Sequence, residues 1–179
     1  MDDSINYAEY TVAKKAEGKN LRKRFLFIGL YLIVIIAISV MIAITNGGFA
    51  LIGGILFVLV IALVFFTWRF VKEERKYEVA NAKLKIQEVT GSGKATVVFE
   101  NFVSEFSVIA PMTDEYKEKF EKADEIKDYR GNSKSKDSYF ARLEKDGKST
   151  VVCFEATNKM LKVMTFYNKK ATVVTLMSH

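Results

Sequence analysis

Reactive side chains are scarce in this 179-residue chain, which has one cysteine, Cys153, and one histidine, His179. A single thiol has no disulfide partner within the chain, which excludes a disulfide-stapled secreted scaffold and suits a reducing compartment. His179 is the last residue and reads as a tail residue, so Ser-His and Cys-His nucleophile arrangements lack a base. Cys153 lies in the apolar run Val151-Val152-Cys153-Phe154, the setting of an inert core thiol. No Cys/His set has metal-ligand spacing. Gly91-Ser92-Gly93-Lys94 lacks the Gly-x4-Gly-Lys-Ser/Thr spacing of a phosphate loop and reads as a hairpin turn. The acids Asp114, Glu115, Glu118 and Glu121 interleave with Lys117, Lys119 and Lys122, the pattern of a solvated helix face. No enzymatic activity, cofactor, metal or small-molecule substrate is therefore expected.

Charge is missing altogether from Phe25 to Trp68, 44 consecutive residues of which 35 are hydrophobic. Such a block excludes a purely soluble chain and an intrinsically disordered one. It is interrupted once, at Thr45-Asn46-Gly47-Gly48, where Asn and Gly favour a tight turn. Two transmembrane helices are predicted, over residues 25–45 and 49–68 with the turn at 46–48; each is about 30 Å long, the thickness of a hydrocarbon core. A signal peptide is excluded, because 21 apolar residues exceed an h-region. Neither span carries an ionisable residue, which argues against a channel or transporter acting alone.

Cations flank the block and are absent from its turn. Lys14, Lys15, Lys19, Arg22, Lys23 and Arg24 precede it, and Arg69, Lys72, Arg75 and Lys76 follow it. The positive-inside rule then places both termini in the cytoplasm, in a multi-pass protein of the plasma (inner) membrane, with Trp68 at the interface. Arg22, Lys23, Arg24, Arg69, Lys72, Arg75 and Lys76 are the candidate membrane-surface contacts. Ser39 and Ala43 on the first span, with Ala50 and Gly54 on the second, form two small-xxx-small pairs at similar depth and are the candidate helix-packing residues. The net charge of +6 divides into +2 for residues 1–24 and +4 for 69–179, interspersed with acids, which disfavours nucleic acid as a partner.

Residues 1–24 form a basic N-terminal arm in which Asn6–Gly18 fits an interfacial helix, an extra strand or a free arm. Residues 69–76 are a juxtamembrane linker. Over 77–179 the apolar pattern becomes alternating: Tyr77/Val79 and Leu84/Ile86 around Asn81-Ala82, Ala95–Phe99 after Gly91-Ser92-Gly93, then Phe106–Ile109. Tyr139, Ala141 and Leu143 lead into Lys145-Asp146-Gly147-Lys148, a strong hairpin signal, with Val151–Phe154 returning. Thr113 is placed to cap a short helix with Tyr116, Phe120 and Ala123 on one face, and a second helix spans about Thr157 to Tyr167. The polar run between Tyr129 and Asp137 reads as a mobile loop. These elements give an α+β domain with one core.

The strand and helix order, together with Tyr77-Glu78-Val79, Leu84-Lys85-Ile86, Phe106-Ser107-Val108-Ile109-Ala110-Pro111, Lys127-Asp128-Tyr129, Val152-Cys153-Phe154-Glu155 and Lys159-Met160-Leu161, resembles a family of uncharacterised bacterial two-transmembrane-helix proteins with a cytoplasmic PH-like domain. Ala156 departs from it, since Pro is expected before the last helix. The resemblance implies an N-terminal transmembrane hairpin followed by a bent antiparallel sheet with a C-terminal helix. It also implies that Lys83, Lys85 and Lys94 lie where lipid-binding PH domains carry cations. The leading expectation is a non-enzymatic, membrane-anchored interaction or scaffold protein, a subunit of a membrane complex or a homo-oligomer, since PH-like sheets bind peptides along exposed edges. The alternative is a sensor of anionic lipid or envelope stress.

Overall fold

A computed structural model of the chain describes residues 6–15, 18–45 and 48–175, with 18–20 and 68–71 as backbone alone. His179, Asn46, Gly47 and the side chains of Trp68 and Arg69 lie outside the described residues. The chain divides into a helical unit and a sheet-rich unit.

The helical unit is a hairpin of α1 (Gly18–Ile44) and α2 (Ala50–Val71). Both are long and apolar enough to cross a membrane, over Leu21–Ile44 and Ala50–Thr67. Their large apolar side chains point outward, with Leu51 87% and Phe65 80% exposed. Such surface is stable in hydrocarbon and costly in water. The Gly48 amide donates to the Thr45 carbonyl at 2.9 Å and closes one side of the turn.

The helices meet at Gly53, where a Cβ would lie 2.4 Å from Ile42 Cδ1. The expected small-residue pairs are not at this contact: Ser39, Ala43, Ala50 and Gly54 are all exposed, and a Cβ on Gly54 would have nothing within 4 Å. The reason is angular. Gly53 and Gly54 point about 100° apart on a helix, and a bulky Ile fills the notch of Gly53 where small-on-small packing was expected. Near the other end of the hairpin, Tyr31 Oη and Thr67 Oγ1 hydrogen-bond across the helices, and Tyr31 stacks on Phe27.

The sheet-rich unit contains two four-stranded sheets. The first comprises β1 (Ala8–Ala13), β2 (Glu73–Ala80), β3 (Lys83–Thr90) and β4 (Ala95–Phe102), in that spatial order. The second comprises β5 (Phe106–Pro111), β6 (Glu125–Asp128), β7 (Ser138–Lys145) and β8 (Lys148–Glu155), in the order β5-β7-β8-β6 with β6 parallel to β8. The predicted turns are real: Asn81 and Ala82, then Asp146 and Gly147, adopt the positive φ of two-residue hairpin loops. Of the three readings left open for the arm, the strand is realised. β1 pairs antiparallel with β2, Ala8 opposite Val79 and Ala13 opposite Glu74. The helical hairpin is thus spliced between two neighbouring strands of one sheet.

Tyr77, Leu84, Ile86, Ile109, Tyr139 and Phe154 are buried between the sheets and α4 (Asn158–Tyr167), which contributes Met160, Leu161 and Met164. The Thr157 hydroxyl accepts the Met160 amide at 3.3 Å, the expected N-cap. At the other end of α4, Asn168 Nδ2 donates to the carbonyls of Val103 and Phe106, both at 2.9 Å. Around Thr113 the chain forms a single 3-10 turn and then α3 (Lys117–Glu121), with no side-chain cap. Phe120 packs edge-on to Phe140, over Val151 and Cys153.

Two departures have local causes. The Ala156 amide donates to the Asp137 carbonyl at 3.1 Å, a bond that proline cannot make. The segment between Tyr129 and Asp137 is fastened where mobility was expected. Arg130 makes a forked pair with Asp128, and the Asn132 amide donates to the buried Glu155 at 2.8 Å.

Candidate interaction surfaces

Strand alternation sorts the expected membrane-facing cations. Arg75, Tyr77 and Val79 share the inward face of β2, so Arg75 is 8% exposed. Its Nη2 lies 3.3 Å from Glu88, which also holds Lys14 at 3.4 Å, and its Cζ lies 5.8 Å from the centre of the Tyr129 ring. Lys76, on the opposite face, pairs with Glu9 of β1 at 2.8 Å, and that lysine holds the Glu9 carboxyl below the usual glutamate range. In the helical unit, Lys23 reaches Glu73 at 3.3 Å while staying exposed, as Arg22 and Lys72 do; Arg24 is half-buried. Arg75 and Lys76 thus have tasks inside the sheet-rich unit. The in-phase spacing of Arg75 with Tyr77 and Val79 was the available sequence signal for this.

The cations of the first hairpin are balanced by acids. Lys83 binds Glu100 at 2.7 Å and lies 4.9 Å from the Phe102 ring centre. Lys85 shares a shallow hollow with Glu78 and Glu100. Lys83 in turn holds the Glu100 carboxyl below its ordinary range. This end of the first sheet therefore carries both signs of charge, with Glu78 and Glu100 beside the lysines that the resemblance placed there.

The sheet edges differ more sharply. β5 is covered on its outer side by the chain beyond α4: the Ile109 amide donates to Ala171 at 2.7 Å, and the Val173 amide to Ile109 at 2.8 Å. β4 ends the first sheet with no described strand beyond it. Ala95, Thr96 and Val97 are exposed along it, and Phe102 is 44% exposed at its end. Ile86 opposes Phe99 and Gln87 opposes Val97, so Val98 is a bulge; the Tyr129 hydroxyl donates to its carbonyl at 3.2 Å. Sequence reasoning placed this strand correctly but had no means of knowing which edge would stay open.

Two buried groups have no access to solvent. Cys153 is fully buried, and burial pushes its thiol up to about 12. Glu155 is 1% exposed, and burial raises its carboxyl above the ordinary glutamate value despite the amide of Asn132. Among the described residues no three His, Cys, Asp or Glu side chains converge to hold a metal ion.

No curated protein and no solved structure matches the chain. A family model described as a bacterial PH-like domain matches residues 3–174. The match starts before β1 and ends beyond α4, so it takes in both apolar helices as well as the two sheets. The two long apolar helices followed by a sheet-rich, helix-capped unit agree with it, and the chain belongs to the bacterial PH-like domain family (DUF6106).

Proposed function

We propose that this protein is a non-enzymatic interaction module, anchored in the plasma membrane by α1 and α2, whose PH-like domain accepts an extended protein segment along β4. The carrying observation is the edge itself: β4 has eight residues, and Lys83 already neutralises its one charge, Glu100. An edge with no described strand beyond it offers main-chain donors and acceptors to a partner strand or to a second copy. Placement of the domain and both termini in the cytoplasm draws on the flanking cations. The β1–β2 pairing supports only the shared side, since it requires the chain entering the hairpin and the chain leaving it to lie on one side of a bilayer.

A photo-crosslinking residue at Val97 in the full-length protein, in intact cells, tests both parts. A discrete adduct is expected at Val97, lost when Thr96→Lys adds a charge to the edge, with none at exposed Glu144. A membrane-impermeant thiol reagent should reach Phe49→Cys from outside and leave Val97→Cys untouched. Monomer alone in mild detergent, with no Val97 adduct, defeats the interaction reading; external labelling of Val97→Cys reverses the orientation.

A further inference from the structure

The charge of the domain is unevenly placed. Residues 69–155 contain 17 cations and 17 anions, whereas residues 156–179 contain Lys159, Lys162, Lys169 and Lys170 and no acid. The whole +4 of residues 69–179 therefore belongs to α4 and the chain that follows it. Helical spacing gathers half of this charge, since Lys159, Lys162 and Phe166 fall within about 60° of one another around α4, and Lys169 and Lys170 lie in the turn just beyond its C-cap, Asn168. All five side chains are exposed, Phe166 to 67%. The four lysines form no salt bridge among the described residues. Of the acids on the elements packed against α4, Glu9 on β1 is paired with Lys76, and Glu105, in the 3-10 turn Val103–Glu105, makes no ion pair with any of the four. The opposite face of α4 carries Met160, Leu161, Val163 and Met164 into the core, so the helix is held rigidly with its basic face outward.

We propose that this outer face of α4 docks on the anionic headgroups of a membrane surface, with the lysines at phosphate depth and the Phe166 ring in the interface. The inference rests on the anchoring of the domain by α1 and α2, and it is separate from what β4 binds. Charge complementarity selects the occupant: the cytoplasmic leaflet is anionic, it lies within reach of a tethered domain, and an exposed aromatic among lysines with apolar stems suits a headgroup boundary. Each lysine near such a surface shifts the docked-to-free ratio by about fivefold. The first hairpin, where cations are matched by Glu78 and Glu100, lacks this property.

The test uses the full-length protein in nanodiscs of phosphatidylcholine alone, or with about one third phosphatidylglycerol, carrying a headgroup quencher. A fluorophore on Lys162→Cys reports contact, with one on Glu144→Cys as reference. Native Cys153 is buried and stays unlabelled, and its protection shows that each variant is folded. Strong quenching at 162 is expected only with phosphatidylglycerol. It should fall several-fold between about 0.1 M and about 1 M salt, as the Debye length shrinks from ~10 Å to ~3 Å. Lys159→Glu with Lys169→Glu should abolish it, and Phe166→Ser should weaken it with Cys153 still protected. Equal quenching in both lipids, equal quenching at 144, or a dark 162 in anionic discs overturns the proposal. A dark 162 that is shielded in native membranes would assign the face to an acidic protein instead. Failure to assemble into nanodiscs at all would mean that the anchor, and not α4, had been misread.

Discussion

At the scale of single residues, the informative side chains are charged groups that the fold takes out of water. Arg75 satisfies one nitrogen on Glu88 while its Nε and Nη1 are buried without a hydrogen bond, so the pair specifies position more than it adds stability. Glu155 has a simpler consequence. Its folded carboxyl titrates above the ordinary value because burial disfavours the charge. The stability it contributes is thus complete below the ordinary glutamate value and is lost as pH rises through the raised one. Glu155→Gln stays neutral, and its side-chain carbonyl can still accept the Asn132 amide. Thermal unfolding in detergent should find variant and wild type close together near pH 5, with the variant the more stable at pH 8. A constant difference across that range would show that Glu155 does not titrate as placed. Cys153 thiol exposure is a convenient readout of the unfolding.

At the scale of elements, one position separates a notch from a free face. Gly53→Val places a Cβ against Ile42, whereas Gly54→Val meets nothing within 4 Å. Gly53→Val should lower the stability of the detergent-solubilised protein, read from its unfolding midpoint, by an amount typical of overpacking, about 1–3 kcal/mol. Gly54→Val should change it little, and equal effects would refute the Ile42–Gly53 contact. Most elements were legible because their boundaries are written locally: Asn81-Ala82 and Asp146-Gly147 fix two hairpins, and Thr157 fixes the start of α4. β1 and β6 were not, for a physical reason. β1 has its partner more than 60 residues away across the hairpin, and β6 is four largely exposed residues that acquire strand geometry from β8. The open β4 edge and the basic face of α4 were equally hidden, since each depends on what the rest of the chain leaves uncovered.

At the scale of the whole molecule, the family match from residue 3 to residue 174 agrees with a domain that starts before its anchor. A fragment beginning at Glu74 lacks β1 and leaves Tyr77 and Val79 without their cover. Residues 6–13 joined through Asn-Gly to 74–179 restore the pairing, because Ala13 and Glu74 are directly opposite and a two-residue turn spans that gap. The joined chain should be soluble with a cooperative unfolding transition, and residues 74–179 alone should aggregate or remain unfolded. A well-folded 74–179 fragment would make β1 dispensable.

The splice of the hairpin between β1 and β2 also imposes an order on biosynthesis. β1 leaves the ribosome first, yet it cannot pair until both helices and then β2 have followed it. If only one helix crossed the bilayer, the two strands would end on opposite sides and the first sheet could never close. Closure of the sheet therefore requires that the two helices cross together or not at all. A copy with a single helix across the bilayer would leave the β1-facing edge of β2 without its partner.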